Sequence, residues 1–401
     1  MSLIAMVFAV AASLGVLQCF AGWVAVARFA TAPAPAPRRH PPITIMRPLC
    51  GDEPHLADAL DTCCRQDYPV FQIVFGVQDA ADPALAAVRD LRERFPARDI
   101  TVVVDSTGHG RNRKVSNLIN MLPSARHDVL AFSDSDLHLA PDYLTRLAAA
   151  LEKPNTGLVS TLYVGRPPYR RLSTLLGSSQ INYSFLPGAL LARALGRQDC
   201  LGSTMALHRL TLERSGGLEA LAEHLADDNV LGQRVAALGL DVDIADTVPA
   251  ASVPEATLNA LWHHEMRWAR TIRALVPVSF GLSALQFPIF WALLACVLSG
   301  GAVPYLLLLG CAWVVRAAAA WGIEHALKPR LGGPGFAWGA TVWLLPVRDI
   351  LSIVEILASY SHGRVVWRGA VLEADRGVAG LLTPMPRPVF ATHSGEESAR
   401  S

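Results

Sequence analysis

Two carboxylates, Asp134 and Asp136, stand two positions apart just after an apolar run, residues 128–132. Such a run, bounded by polar residues, reads as a buried strand of a parallel sheet. In an open α/β sheet, ligands collect at the carboxyl ends of the strands. Two hard oxygen ligands at that place suit a divalent cation, Mg²⁺ or Mn²⁺, which can also bridge phosphate oxygens. Alone, Asp-x-Asp is a common pair, and a helix N-cap ahead of Pro141 accounts for it as well. Its weight comes from the polar residues that accompany it.

A nucleotide sugar acting as donor needs its base and ribose held, its diphosphate neutralised and an acceptor hydroxyl deprotonated. The sequence offers a residue for each. Asp79 ends the second predicted strand, where a carboxylate can accept from a uracil ring; its plain alternative is a turn residue before Asp82-Pro83. Asp134 suits ribose or metal, and Asp136 suits metal. Asp228, within Asp227-Asp228-Asn229, is placed as a general base, with Asp227 as the alternative. A charge at a helix N-terminus would explain either one without chemistry. His264-x-x-Arg267-Trp268 supplies a guanidinium for phosphate and an aromatic wall, or else a plain membrane-anchoring pair. Lys114 is a substrate-side cation or a surface charge at a helix start. His138 reads as a core or capping histidine. Gly108-His109-Gly110 lacks the Gly-Lys-Ser/Thr ending of a phosphate loop, and no nucleophilic triad is present.

The elements that must position these residues are legible in the patterning. Strands are expected at 43–49, 70–77, 100–104, 129–132 and 158–163. Helices are expected at 55–64, 83–95, 114–122 and 141–151, and another starts near Asn229. Strands alternating with helices imply a parallel, Rossmann-like sheet. The domain that carries it spans residues 43–256.

The flanks are different. Hydrophobic residues make up 52% of the 401, and the excess sits at the two ends. Residues 1–30 carry no charge before Arg28 and form an anchor long enough to span a bilayer. An Ala/Pro linker, 31–42, follows. Arg28, Arg38 and Arg39 beyond the span place the next domain in the cytoplasm by the positive-inside rule. Residues 257–274 form a basic amphipathic helix that lies at the membrane surface, with an ordinary solvated face as the alternative. The region 275–360 holds two spans, near 275–298 and 302–323, and a third element, 336–360. In that third element Arg348, Ser352, Glu355, Ser359 and His362 share one helix face. A charged stripe facing lipid is costly, so this element packs its stripe on protein or lies at the interface. Residues 361–401 form a cytoplasmic tail, partly disordered. A net charge of +1 gives no reason to expect nucleic acid, and the seven cysteines form no C-x-x-C pair.

With these residues in order, the chain resembles the ceramide glucosyltransferase family, among the family-2-like enzymes of GT-A fold. The resemblance runs from about Thr44 to Arg270. It rests first on Arg47-Pro48-Leu49-Cys50-Gly51, Gln66-Asp67-Tyr68-Pro69 and Val77-Gln78-Asp79-x-x-Asp82-Pro83. Further matches are Gly110-x-Asn112-x-Lys114-x-x-Asn117-Leu118, the Asp134 pair, Gly202-Ser203-Thr204-Met205 and Ser215-Gly216-Gly217-Leu218. Asp228 and Arg267-Trp268 complete the set. The resemblance implies a GT-A domain between N-terminal and C-terminal transmembrane helices. It also implies metal-dependent, inverting transfer from a UDP-sugar to a lipid hydroxyl at the cytoplasmic face of a bilayer. The chain departs from the family at His264, where Gln or Arg is usual, and at Asp136, where animal members tend to have Gly. Its Ala and Arg richness resembles a bacterial, hopanoid-associated branch, in a bacterial inner membrane. That branch implies N-acetylglucosamine passing from UDP-GlcNAc to bacteriohopanetetrol; ceramide with UDP-glucose is the alternative. A processive polysaccharide synthase and a non-enzymatic membrane scaffold are the competing classes.

Overall fold

The structure, a computed structural model, describes residues 3–331, 342–361, 364–367 and 370–373. Helix α1 (Leu3–Thr31) leads into an α/β domain whose strands and helices alternate. The first half runs β1 (Ile43–Pro48), α2 (Leu56–Cys64), β2 (Phe71–Val77), α3 (Ala84–Arg94), β3 (Ile100–Val104), α4 (Arg113–Met121) and β4 (Val129–Ser133). Then come β5 (Leu137–His138), α5 (Tyr143–Leu151), β6 (Thr156–Ser160), β7 (Val164–Arg166), α6 (Leu172–Gln180) and α7 (Leu186–Ala194). The domain closes with β8 (Thr204–His208), α8 (Arg209–Arg214), α9 (Asp227–Ala237), β9 (Asp241–Ile244) and β10 (Ala250–Ser252).

Seven strands form one sheet in the order β3-β2-β1-β4-β8-β6-β9, and three make a small second sheet, β5-β10-β7. The β3-β2-β1-β4 part is wholly parallel, and β8 enters antiparallel to β4 and β6. Every residue of β2 and β4 is buried, as expected for strands covered by helices on both faces. The two apolar cores lie on opposite faces of the sheet. Ile45, Phe75 and Ala131 belong to one, and Met46, Val74 and Leu130 to the other. This is the Rossmann-like α/β domain expected of a GT-A enzyme.

The remaining elements form the apolar end of the molecule. They are α10 (Leu258–Leu275), α11 (Pro277–Leu282), α12 (Pro288–Leu298), α13 (Val303–Leu327) and α14 (Leu345–Ser359), followed by a hairpin of β11 (Arg364–Trp367) and β12 (Ala370–Glu373). Among the described residues, two helical runs are long and apolar enough to cross a bilayer, α1 and Val303–Arg330. The stretch expected as a single span near 275–298 is instead broken. Pro277–Gln286 and Pro288–Leu298 meet at 67°, with a proline opening each segment. The expected third element, 336–360, is described from residue 342; its first six residues, and most of the expected tail, lie outside the described residues. Within α14 the polar stripe is buried: Arg348, Ser352, Glu355 and Ser359 are each at most 4% exposed.

Candidate active site

A cavity of about 470 Å³ opens beyond the carboxyl ends of β1, β2 and β4. It lies where the strand order reverses, since β1 pairs with β2 on one side and β4 on the other. Asp134 and Asp136 enter it from the turn after β4. A buried arginine holds that turn from below. Arg47, at the end of β1 and 0% exposed, donates to Ser133 Oγ (3.4 Å), Leu137 O (2.6 Å) and Ala59 O (3.1 Å). The first two bonds bracket the acidic turn on either side. Ser135 Oγ donates to Glu53 Oε2 at 2.6 Å, which brings a third acid to the cavity wall.

Lys114 arrives from the first turn of α4. Asn112 caps that helix by accepting from Val115 N (3.1 Å), and its amide donates to His224 O (2.8 Å) and Asp227 Oδ1 (3.2 Å). Gly110 makes the approach possible, because a Cβ there would sit 2.6 Å from Ala222 O. Lys114 Nζ lies 2.7 Å from Asp134 Oδ1 and 3.8 Å from Asp227 Oδ2. Burial alone would lower the ammonium pKa, but Asp134 and Asp227 together hold it above the ordinary lysine range. Lys114 therefore ties the turn after β4 to the start of α9.

Asp227 and Asp228 both line the cavity from the first turn of α9. Burial, with Asp227 adjacent, pushes the Asp228 carboxyl up to about 7. Its oxygen lies against Gly202, where a Cβ would come within 2.5 Å of Asp228 Oδ2. Gly202 also has φ +78°, a conformation that suits glycine. The same loop is stitched to the acidic turn, since Asp134 N donates to Ser203 O at 3.2 Å.

The opposite wall is α10. Thr257 caps it, accepting from Ala260 N at 3.2 Å. Glu265, Arg267 and Trp268 face the cavity, and so does His264, whose Nδ1 is bonded to Glu255 Oε1. The His264 and Trp268 rings meet edge to face, 4.6 Å between centroids. Glu265 is 6% exposed and accepts twice from Arg348 Nη1, both at 2.9 Å. Arg348 also donates to Glu355 Oε2 (2.6 Å) and Ser352 Oγ (3.0 Å). The stripe of α14 is thus packed against the helix that forms the cavity wall.

The sequence profile described as glycosyl transferase family 21 matches residues 3–379, most of the chain. The chain belongs to glycosyl transferase family 21. Among curated relatives, it is 22% identical over 250 residues to ceramide glucosyltransferase 1 of Caenorhabditis elegans, covering 61% of this chain and 53% of that protein. It is 28% identical over 123 residues to a ceramide glucosyltransferase of Komagataella phaffii, covering 30% of this chain and 24% of that one. The chain thus spans about half the length of the first relative and about a quarter of the second. Among solved structures, a mannosyltransferase from Pyrobaculum calidifontis, in complex with GDP-Man and Mn²⁺, is 20% identical. That likeness covers 88% of this chain and 99% of that one, with a TM-score of 0.48.

In this family-21 chain the residues singled out by sequence converge, with one exception. Lys114, Asp134, Asp136, Asp228, His264, Arg267 and Trp268 all line the one cavity. Asp79 does not. It is exposed, its carboxylate accepts from Ala81 N (2.9 Å) in a turn, and its neighbour Gln78 lines the cavity instead. His138 is held by Ser252 and Arg166, and burial with Arg166 and Arg47 nearby pushes its pKa down to about 4. Glu53, which follows Asp52, and Glu255 also line the wall; neither falls in a periodic pattern, and nothing in the sequence distinguishes them.

The acidic turn fits a divalent cation. Burial, with Asp134 and Glu53 beside it, pushes the Asp136 carboxyl up to about 8, and a cation held there would favour its ionised form. Among the described residues no three His, Cys, Asp or Glu side chains are placed around one point. A pair of carboxylates completed by phosphate oxygens and water is a usual Mg²⁺ arrangement.

Proposed function

We propose that this family-21 protein transfers a sugar from a UDP-sugar to the hydroxyl of a membrane lipid, with inversion. One observation carries the reading: a single cavity joins a charged side to an apolar one. Lys114, Asp134, Asp136 and Asp228 come from the sheet side, while Gly177, Ile181, Phe185, Leu261, Ile272 and Leu275 come from the helices beside the apolar end. Such a lining suits a polar donor on one side and the hydrocarbon of an acceptor on the other.

Asp136, with Asp134 beside it, would hold Mg²⁺ or Mn²⁺, which when bound neutralises the donor diphosphate. Lys114 holds Asp134 in place and adds positive charge near the phosphates. Arg267 stabilises charge on the departing UDP, and Trp268 walls the site from water. The acceptor oxygen bonds to the anomeric carbon from the face opposite the diphosphate. The carbon–oxygen bond to the diphosphate breaks with its electron pair, and the hydroxyl proton passes to Asp228. Glycine at position 202 leaves room for that carboxylate.

Two versions of donor and acceptor are distinguished by one assay. The names of the curated relatives, ceramide glucosyltransferases, support the alternative of ceramide, with UDP-glucose as its donor. The resemblance of the chain's Ala- and Arg-rich composition to the bacterial branch favours bacteriohopanetetrol with UDP-GlcNAc at a cytoplasmic membrane face. Detergent-purified protein incubated with each labelled donor and each lipid, followed by mass spectrometry of the lipid, identifies the pair. No glycolipid from any combination, together with no UDP binding by calorimetry, would refute the proposal.

A further inference from the structure

Between α6 and α7 the helix continues through one wide turn, Ile181–Phe185, in which Leu186 N donates to Ile181 O. This π turn packs one more residue into the helix than a regular turn holds, and such turns recur at functional sites. Its first and last residues, Ile181 and Phe185, line the apolar side of the cavity. The three residues between them are each fixed by a partner outside the helix. Asn182 accepts from Gly165 N (2.7 Å) and donates to Gly165 O (3.1 Å) on β7. Tyr183 O accepts from Arg316 Nη1 (2.6 Å), and its hydroxyl donates to Glu324 on α13. Ser184 Oγ accepts from Arg316 Nη2 (2.9 Å).

Arg316 lies within the apolar helix α13 and is 3% exposed. It is held in turn by Asp349 of α14, fully buried, at 3.1 Å from Nε. The second oxygen of Asp349 accepts from Ile289 N at the start of α12 (3.2 Å). A buried charge pair in an apolar helix bundle is costly unless each hydrogen bond is satisfied, and here the guanidinium is spent on the backbone and hydroxyl of the π turn. Returning the turn to α geometry would shift the register by one residue. That turns every later side chain by about 100° and moves Phe185 off the cavity wall.

We propose that Arg316 and Asp349 are positioning residues that lock the π turn and so set the shape of the wall contacting the acceptor's hydrocarbon chain. The inference rests on the lipid-acceptor reading above. It gives the charged pair inside the membrane-side bundle a role in acceptor recognition, distinct from donor binding and from proton transfer. Neither residue touches the donor side of the cavity.

The test uses full-length protein in detergent and a sixteen-carbon alcohol carrying a diazirine as the probe. In the unaltered protein, illumination should label peptides containing Ile181 or Phe185, and excess hexadecanol should suppress the label. Arg316→Lys keeps the charge but cannot bond Tyr183 O and Ser184 Oγ as a fork. It should lose at least ten-fold in this labelling while UDP affinity by calorimetry stays within two-fold. With the lipid acceptor found in the assay above, its KM should rise and kcat should hold. Asp349→Asn, which loosens Arg316 with little change of shape, should show the same split, and it stands in if Arg316→Lys fails to fold. Unchanged labelling in a folded variant, or a fall in UDP affinity equal to the fall in labelling, overturns the inference alone. No labelling of the unaltered protein, with UDP binding intact, overturns the lipid-acceptor reading along with it.

Discussion

Asp228→Asn separates proton transfer from binding. The side chain keeps its shape but can no longer accept a proton from the acceptor. General-base assistance contributes about 10²–10⁴-fold, so kcat should fall by that factor, while UDP affinity measured by calorimetry changes little. The structure adds a pH signature. With the carboxyl raised to about 7, roughly a tenth of the molecules carry it ionised at pH 6 and roughly nine tenths at pH 8. The kcat/KM of the unaltered protein should therefore climb about ten-fold over that interval, and the residual kcat/KM of Asp228→Asn should be flat. Gly202→Ala offers a second route to the same loss, because its Cβ would displace Asp228 Oδ2 and strain a backbone at φ +78°. The raised value has a stability corollary: the folded chain binds this proton more tightly than the unfolded one. Stability should thus fall as pH rises from the ordinary carboxylate value through about 7, and Asp228→Asn should remove that part of the fall. The measurements are single-turnover rates across pH 5.5–8.5 and UDP titrations of both proteins. Loss of UDP binding along with turnover, or a variant retaining a tenth or more of the rate, would refute the assignment.

Chelation with EDTA should stop turnover, and Mg²⁺ or Mn²⁺ should restore it; full activity in chelator would remove the cation from the acidic turn. Lys114→Met leaves Asp134 and Asp227 facing each other without their cation, so UDP-sugar affinity should drop at least about ten-fold by calorimetry, and an unchanged affinity would deny the lysine its part. Arg47→Met removes three buried bonds beneath the acidic turn and should cost on the order of 3 kcal/mol in urea unfolding, together with a lowered kcat. A variant as stable as the parent would mean that the clamp is idle.

Much of the α/β half was legible in the sequence. Apolar runs bounded by Pro, Asp and Asn put the strands and helices of residues 43–151 within a residue or two of their places, because burial on both faces leaves little freedom in such runs. The face shared by Arg348, Ser352, Glu355 and Ser359 was also legible, since helical spacing alone puts them together and the cost of exposing charge to lipid turns them inward. The helix through 172–194 was not. Its Ser173, Thr174, Ser178, Ser179, Asn182 and Ser184 interrupt any apolar period, yet all are buried. The break at Phe287 was missed for the opposite reason: hydropathy averages over a window and does not register two prolines. The motif residues divide in the same way. Asp134 and Asp228 reach the cavity, while Arg47 and Asn112 lie behind it and spend their side chains on bonds within the protein, a distinction that a motif cannot express.

The pairing of Glu265 with Arg348 has a practical consequence for anyone wanting a water-soluble fragment. Cutting the gene after α10 would leave an acid facing the cavity without its counter-ion and would uncover a strip of helix built to lie against another. The cavity and the apolar segment share one wall, so handling this protein means carrying its hydrophobic half along, in micelle or nanodisc, from the first column to the last assay.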